Sequence, residues 1–441
     1  MSRSKLSVPT AKLPTFLWGA ATAAHQVEGN QRNDWSEWEA TVADGLAADA
    51  ERRLKAKGVP DDAALLALAR DPQNYLSADA ADHYHRYRQD FDILYDLGCN
   101  AYRFSVEWAR IEPRPGEYDQ RALDHYRDMV RELKKRGITP MITLHHFTNP
   151  TWLAAHGGWH GREVVERFAQ FSTVVAGYLG PDVTYWCSIN EPGSYLLVRY
   201  LGGDIWPRWP GGAFRPLDGY RYLRNVVQAH RAARRAIKAA NPAAQVGVAH
   251  GMVHFELARH DPVSWVMKKL LEYIPDTYLL NRLKHDLDYI GVQYYIRMQV
   301  AARLGHPAHW TSYWVGQEPR SHTGWGIYPE GLYHITQRLK RYGLPQIVTE
   351  NGIADANDLQ RAGFIREHIA ALDRSRADGA DIRGYFYWSL LDNYEWSEGF
   401  WPQFGLVAVD RKTQQRTVRP SAKVYAQIIR QHLAASKKRP A

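Results

Sequence analysis

Short apolar stretches alternate with longer amphipathic stretches through most of the chain. One amphipathic stretch begins after Asp119, a residue type that caps helices, and its apolar residues share one helical face: Leu123, Tyr126, Val130 and Leu133. Further helices are predicted at Arg162–Tyr178, Gly219–Ala240, Glu330–Arg341 and Gly363–Ala377. The predicted strands are Phe16–Thr22, Ala101–Val106, Pro140–His146, Thr184–Asn190, Gln245–Gly251, Tyr289–Tyr295, Gln346–Glu350 and Gly384–Leu390.

Eight alternations of strand and helix predict an α/β fold in which parallel strands close into a (β/α)8 barrel. An open doubly wound sheet is the alternative, but Gly19-Ala20-Ala21-Thr22 stands where such folds place a glycine-rich phosphate loop. Residues 45–75 predict one or two helices inserted in the first β–α loop, and residues 202–216 an irregular loop over the barrel mouth. Since no linker composition interrupts the chain, we expect one domain over 1–441, with a short basic tail at 436–441.

The charge and hydropathy patterns argue against nucleic-acid and membrane partners. The formal net charge is +9, but Lys and Arg alternate with Asp and Glu, and the one basic run is Lys437-Lys438-Arg439. This pattern argues against a nucleic-acid partner, which requires a concentrated basic face. No stretch of about 18 apolar residues predicts a membrane span, and Met1–Pro14 lacks an apolar signal core. We therefore expect a cytoplasmic protein without a membrane partner.

The two cysteines, Cys99 and Cys187, lie beside apolar strand-like stretches, which predicts buried free thiols rather than a disulfide. The chain also holds 16 Trp and 26 Tyr. Their flat apolar faces and single polar edges suit partly wet pockets, and sugar rings are natural ligands for such surfaces.

In a barrel, the carboxyl ends of the strands converge on the active site. Seven of the eight predicted strand ends carry polar or aromatic residues able to bind or transform a ligand. They are His25, Gln26, Arg103, His145, His146, Asn190, Glu191, Tyr295, Glu350, Asn351 and Trp388, with Glu395 shortly after the last strand.

Glu191 and Glu350 are the two carboxylates among these strand ends, and each adjoins an asparagine. Glycoside hydrolysis requires two carboxyl groups flanking the scissile bond. A separation of about 5–5.5 Å permits a covalent intermediate and retention, whereas about 6.5–9.5 Å admits a water molecule and gives inversion. The residues alone leave that separation open.

Seven motifs resemble those of family 1 glycoside hydrolases and follow one another in that family's order. They are FLWGAAT at 16–22, QVEG at 26–29, YRFS at 102–105, NEP at 190–192, YPEGL at 328–332, TENG at 349–352 and YWSLLDNYEW at 387–396. The resemblance implies a (β/α)8 barrel and a retaining exo-β-glycosidase without a cofactor or metal. It makes Glu191 the acid/base and Glu350 the nucleophile. It also places Arg103 and Tyr295 beside Glu350, to keep the carboxylate ionised and oriented.

The same resemblance implies a substrate site for terminal, non-reducing β-D-glucosides, with β-galactosides and β-fucosides as further substrates. Its glycone hydroxyls are bound by Gln26, His146, Asn190 and Glu395. Trp388 is the platform beneath the ring, Trp396 lies at the outer hydroxyls, Trp325 lines the leaving-group site, and Phe404 completes the substrate-binding set.

The chain departs from the family pattern at three positions near the site. Gln293 stands two residues before Tyr295, where the family usually has Asn. Phe147 stands where it often has Trp, and Gln403 where an Arg usually precedes Phe404. These departures put substrate preference in doubt more than activity.

Three other functions compete with this interpretation. A 6-phospho-β-glycosidase resembles the chain but has Ser where Glu395 stands, and a carboxylate there repels phosphate. A non-catalytic sugar-binding barrel is expected to lose one catalytic carboxylate. A metal-dependent hydrolase is suggested by the pairs His83/His85 and His145/His146, but within each pair the side chains point apart. The glycone and aglycone preferred, the oligomeric state and the role of residues 45–75 are not determined by the sequence.

Overall fold

The computed structural model describes residues 16–59, 62–202, 209–302, 311–312 and 318–438. Its strands are β1 (Leu17–Ala21), β2 (Ala101–Ser105), β3 (Thr139–His145), β4 (Tyr185–Asn190), β5 (Gln245–Leu257), β6 (Tyr289–Val300), β7 (Thr311–Ser312), β8 (Gln346–Asn351), β9 (Ile382–Trp388), β10 (Val407–Val409) and β11 (Arg416–Val418). Eight of them pair in parallel in the order β1-β2-β3-β4-β5-β6-β8-β9, and β9 returns to β1. This closed barrel confirms the predicted fold, and each predicted strand supplies one barrel strand.

Helices surround the barrel and connect its strands. They are α1 (Ala24–Val27), α2 (Asp34–Ala48), α3 (Ala50–Lys57), α4 (Ala63–Ala69), α5 (His83–Asp96), α6 (Trp108–Ile111), α7 (Gln120–Lys135), α8 (Thr151–Ala155), α9 (Val164–Leu179), α10 (Pro192–Leu196), α11 (Pro216–Ala240), α12 (Pro262–Glu272), α13 (Tyr278–Leu283), α14 (Pro329–Leu339), α15 (Arg361–Ala377) and α16 (Pro420–Lys438). Two π-helical turns, Leu197–Leu201 and Tyr273–Thr277, follow α10 and α12.

Alternating side chains divide each barrel strand between two apolar layers. In β2, Tyr102 and Phe104 pack outward into the large layer beneath the helices, while Ala101 lies in the smaller layer inside the barrel. Met141, Tyr185 and other inward residues fill the lower part of that interior. The barrel interior is therefore a packed core, and the active site is expected at its carboxyl-terminal mouth, as in other barrels of this kind.

The predicted amphipathic helix at residue 119 is α7. The Asp119 carboxylate accepts hydrogen bonds from the backbone N–H groups of Arg121 and Ala122, which caps the helix. The predicted apolar face is buried, with Ala122 and Met129 added to it. Periodicity located this helix correctly because its apolar face packs on the barrel and its polar face meets water.

Two strands run beyond their predicted ends. β5 continues past Gly251 to Leu257, and β6 continues past Tyr295 to Val300, because the two pair with each other above the barrel, up to Leu257 opposite Val300. The sequence prediction ended these strands where the apolar run ends. Backbone pairing between neighbours carries them further.

The insertion at 45–75 is more helical than predicted. Three helices, α2 to α4, occupy this region, and the first begins before residue 45, where Asn33 caps it through a reciprocal hydrogen-bond pair with Ser36. The insertion packs against the loop that follows β9. There Glu398 pairs with both Arg53, at 3.0 Å, and Lys57, and the Asn74 amide donates to the Glu398 carbonyl at 3.0 Å.

Part of the predicted loop at 202–216 lies outside the described residues, and its described end leads from Trp209 into α11 at Pro216. The basic tail also lies partly outside the described residues. Cys99 and Cys187 are both buried and unpaired with each other, as predicted. Within the described ranges, none of the helices has the length and apolar character needed to cross a membrane.

Candidate active site

Glu350 lies near the end of β8 with only 4% of its surface exposed. The guanidinium of Arg103, a fully buried residue within β2, donates to one carboxylate oxygen at 2.5 Å. The Tyr295 hydroxyl, from β6, donates to the other oxygen at 2.7 Å. Three separate strands therefore fix both oxygens of this carboxylate, and the two partners predicted for Glu350 lie where the sequence placed them.

Arg103 also connects Glu350 to Asn190 at the end of β4. Its second terminal nitrogen donates to the Asn190 side-chain oxygen at 2.6 Å, and its Nε donates to the Thr143 hydroxyl at 3.1 Å. Gln293 donates to the same Asn190 oxygen at 2.9 Å. The departure at Gln293 therefore keeps an amide at the site, and this amide orients Asn190.

Glu191 follows β4 in a strained backbone conformation. Its φ of +40° lies in the left-handed region that side-chain-bearing residues seldom occupy. Its carboxyl group lies against Gly251 of β5, where an added Cβ would come within 2.6 Å of the Glu191 Cδ. The glycine thus leaves the space that the carboxyl group occupies.

The two carboxyl groups are electrostatically coupled. Burial in the pocket, followed by the negative charge of Glu350, raises the pKa of Glu191 to about 8, while a hydrogen bond with Ser194 opposes the shift. Burial also raises the pKa of Glu350, but Arg103 and Tyr295 both oppose that change by stabilising its charged form. Both carboxyl groups are thus raised in pKa by burial, but Glu350 has two donors that oppose the rise, whereas the charge of Glu350 adds to the rise at Glu191.

A second polar cluster lies across the mouth, on the side of β1 and β9. The Gln26 amide donates to the Tyr394 carbonyl at 2.7 Å and to the Glu395 carboxylate at 3.4 Å. Asn393 donates to the same carboxylate oxygen of Glu395 at 2.9 Å. Burial raises the pKa of Glu395 to about 7, opposed by hydrogen bonds from Asn393 and Trp388. This cluster presents an amide and a carboxyl group to the same pocket.

His146 joins the two polar clusters. Its Nε2 lies 3.2 Å from the Asn190 amide nitrogen, and its ring stacks at 5.9 Å on Trp388. Within the described chain, the buried His146 Nδ1 and Gln26 Oε1 atoms have no hydrogen-bond partner. Buried polar atoms are normally paired, so two such atoms around one pocket are suited to a polar ligand.

Aromatic side chains form the walls. Trp396 stacks on His146 at 6.0 Å and lies 5.1 Å from Phe147, so the phenylalanine that replaces the usual tryptophan packs behind Trp396. On the opposite side, Trp325 lies 5.9 Å from Tyr295 and 6.3 Å from Phe404. All twelve residues predicted for the site therefore belong to this mouth or line it.

Of the remaining strand-end residues, His25 stacks on Trp396 at 5.7 Å, whereas His145 and Asn351 have partners elsewhere. His145 accepts from Trp159 at 2.9 Å, outside the pocket, and Asn351 donates to the Tyr294 carbonyl at 2.6 Å. His83 pairs with buried Asp90, whereas His85 is exposed. The members of each histidine pair thus diverge as predicted. The described residues contain no group of three or more His, Cys, Asp or Glu side chains arranged to hold a metal ion.

Four contributors to the site were not predicted: Thr143, Ser194, Gly251 and Asn393. Asn393 stands within the motif at 387–396, so its position was a signal available in the sequence. Ser194 and Gly251 acquire a role only because α10 and β5 meet beside Glu191. Residues of this kind are recognised from contacts rather than from spacing.

A closed (β/α)8 barrel with two coupled carboxyl groups, a polar rim and indole walls at its mouth defines a glycoside hydrolase. Comparison with known families agrees. The family model described as Glycosyl hydrolase family 1 matches residues 10–271 and 267–434. The chain belongs to glycosyl hydrolase family 1.

Relatives extend this result. The chain is 30% identical to Beta-glucosidase A of Thermotoga maritima, over 94% of this chain and 97% of that protein. It is also 30% identical to a Beta-galactosidase of Saccharolobus solfataricus, over 81% and 87% respectively. Its structure is similar to that of a beta-glycosidase from Pyrococcus horikoshii, with a TM-score of 0.82, 31% identity, and coverage of 98% of this chain and 99% of that one.

Proposed function

We propose that the protein is a retaining exo-β-glycosidase that hydrolyses terminal, non-reducing β-D-glucosides by double displacement. Glu350 is the nucleophile and Glu191 the acid/base. The observation that supports this most strongly is the Glu350 carboxylate, held by Arg103 and Tyr295, next to a Glu191 whose pKa of about 8 keeps it protonated at neutral pH.

In the first step, a Glu350 oxygen attacks the anomeric carbon and forms a glycosyl ester. The bond from that carbon to the glycosidic oxygen breaks, and the Glu191 proton passes to this oxygen, so the aglycone leaves as a neutral alcohol. Arg103 and Tyr295 hold the attacking carboxylate in position, which removes most of the cost of orienting it.

In the second step, Glu191 accepts a proton from water as the water oxygen attacks the anomeric carbon and displaces Glu350. Esterification has by then removed the negative charge of Glu350, one of the causes that raise the pKa of Glu191. The pKa of Glu191 therefore falls in the intermediate, which suits its change from acid to base. Two inversions give net retention.

The substrate class follows from the polar cluster around Gln26 and Glu395 and from the Trp388 indole. A pyranose stacks with its apolar face on Trp388, while Gln26, Glu395 and His146 bind its hydroxyls and Asn190 the 2-hydroxyl. The Thermotoga maritima relative is a β-glucosidase and the Saccharolobus solfataricus relative a β-galactosidase, which supports β-glucosides first and β-galactosides second.

A panel of nitrophenyl β-glycosides tests the activity, and proton NMR of the first sugar released tests the stereochemistry. We expect turnover of the β-glucoside and β-anomer as the first product. An α-anomer formed first would contradict double displacement. A wild type as inert as Glu350→Gln would indicate a sugar-binding barrel instead, and activity confined to the 6-phosphoglucoside would reject the role given to Glu395.

A further inference from the structure

Ten of the thirteen large apolar side chains exposed in the described part of the chain lie between Leu197 and Ile274. These ten residues lie in the two connections that follow β4 and β5. A scatter of single exposed apolar residues is ordinary, but a concentration of this kind marks an interaction surface.

Six of these residues belong to α12 and the turn after it. Trp265, Val266, Leu270 and Tyr273 are 54%, 50%, 45% and 47% exposed, and Val263 and Ile274 complete the set. In α12 only Ser264 is buried. We name these six residues the α12 apolar face.

The helical spacing places four of these exposed side chains on one side of α12. Val263, Val266, Leu270 and Tyr273 recur at intervals of three and four residues, so they lie on one side of the helix. An amphipathic helix of a globular protein normally turns that side to the core, as α7 does with its six buried residues. Helix α12 turns it to water.

The charges beside this face are mainly positive. The Glu272 carboxylate is shared by Lys268 at 3.8 Å, Lys269 at 3.5 Å and Arg338 at 3.4 Å, so three cations surround one anion. A cleft of about 440 Å³ is lined by Trp265, Leu270 and Tyr273 together with Lys269 and Arg341. Apolar side chains and cations therefore share one surface.

We propose that the α12 apolar face docks on an anionic lipid bilayer. Interfacial helices bury Trp and Leu side chains at the headgroup boundary while flanking Lys and Arg bind acidic headgroups. Contact with a second copy of the chain is less favourable, since a two-fold interface brings the same excess of cations against itself. The sequence predicts no membrane partner because it offers no apolar span, whereas this proposal concerns a helix that lies on the bilayer surface.

Co-sedimentation of the full chain with vesicles tests the proposal. We expect binding to phosphatidylcholine vesicles that contain phosphatidylserine, weaker binding to phosphatidylcholine alone, and loss of the difference at high salt. The triple variant Val266→Ser/Leu270→Ser/Tyr273→Ser should lower the partition coefficient roughly tenfold or more. Lys269→Gln should lower it about fivefold on the anionic vesicles only.

Leu359→Ser is the matched control, because Leu359 is 78% exposed but lies far along the chain from α12, between β8 and α15. It should bind vesicles as the parent does. All variants should hydrolyse a soluble aryl glycoside within about twofold of the parent, which verifies folding independently of docking. No binding by the parent, or equal loss in Leu359→Ser, would overturn the proposal. So would a dimer in solution that the triple variant dissociates when no vesicle binding is seen.

Discussion

Glu350 and Glu191 are the same type of residue at the ends of two barrel strands, but their surroundings differ. Glu350 lies within β8, where the pairing with both neighbouring strands shifts register, and Arg103 and Tyr295 each donate to one of its oxygens. Glu191 lies in a left-handed conformation beyond its strand, against Gly251 and Ser194. The surrounding groups, rather than the residue type, therefore make the two carboxyl groups differ: two donors oppose the rise in the pKa of Glu350, whereas burial and a neighbouring charge both raise the pKa of Glu191.

Removal of the Glu350 carboxylate should have the largest effect on activity. In Glu350→Gln, kcat should fall by roughly 10⁴-fold or more, because no covalent intermediate forms. Steady-state hydrolysis of a nitrophenyl β-glucoside measures this. The exposed Glu367→Gln is a control that should retain full activity. In Glu350→Ala, azide should yield an α-glycosyl adduct without restoring hydrolysis. Rescue with a β-adduct would place the nucleophile elsewhere.

The loss of activity on removal of the Glu191 carboxyl group should depend on the leaving group of the substrate. In Glu191→Ala, kcat/KM for an alkyl glucoside should fall by roughly 10²–10⁴-fold. A dinitrophenyl glucoside should lose far less, since its leaving group needs little protonation. The ratio of the two losses is the measurement. Equal losses on both substrates would show that Glu191 is not the acid.

Removal of the Tyr295 hydroxyl, one of the two donors to Glu350, should reduce activity less than removal of either carboxyl group. In Tyr295→Phe, kcat/KM should fall by roughly 10–100-fold, the loss expected for a hydrogen bond to a charged group. The hydrogen bond lowers the pKa of Glu350, so its loss raises that pKa. The acid limb of the pH profile should accordingly move to higher pH.

Tyr385→Phe is the matched control for Tyr295→Phe, because it also loses a buried tyrosine hydroxyl, one that donates to Asn351 away from the pocket. Its acid limb should stay in place. A similar shift in both variants would attribute the change to general destabilisation.

The space beside the Glu191 carboxyl group can be filled without substituting Glu191 itself. In Gly251→Ala, the new Cβ would meet the Glu191 carboxyl at 2.6 Å and displace it. We expect about a tenfold loss for alkyl glucosides and a smaller one for dinitrophenyl glucosides. Gly363→Ala, where no atom lies within 4 Å of the added Cβ, is the control. Identical behaviour of the two variants would remove the proposed role of Gly251.

The smallest effect concerns Ser194. Glu191 must be protonated to act as an acid, so kcat/KM should be high below its pKa of about 8 and fall as the pH rises through it. The Ser194 hydrogen bond lowers that pKa, so Ser194→Ala should move the alkaline limb upward with only a few-fold change in rate. An alkaline limb that moves downward would contradict this contact.

The accuracy of the sequence prediction varied across the molecule. The eight strands and helix α7 were predicted correctly, since their apolar periodicities correspond to buried faces. The motif residues Arg103 and Tyr295 were predicted as partners of Glu350, and the geometry agrees. The sequence predicts too few helices in the insertion, because Asn33, which caps α2, lies before the segment with the unusual composition.

The α12 apolar face illustrates the opposite case. Its periodicity is as regular as that of α7, yet the helix is exposed, because nothing in the described chain covers that side. Periodicity identifies a helix with an apolar side. Only the packing of neighbouring elements decides whether that side becomes core or surface.

By itself, the sequence determined the barrel and the family, and it predicted which two carboxyl groups act, because strand alternation and motif order are local properties of the chain. The tertiary structure alone decided how Glu191 and Glu350 differ. The contacts responsible, from Arg103, Gly251 and Ser194, join elements that are distant in sequence, and burial and charge act through space rather than along the backbone.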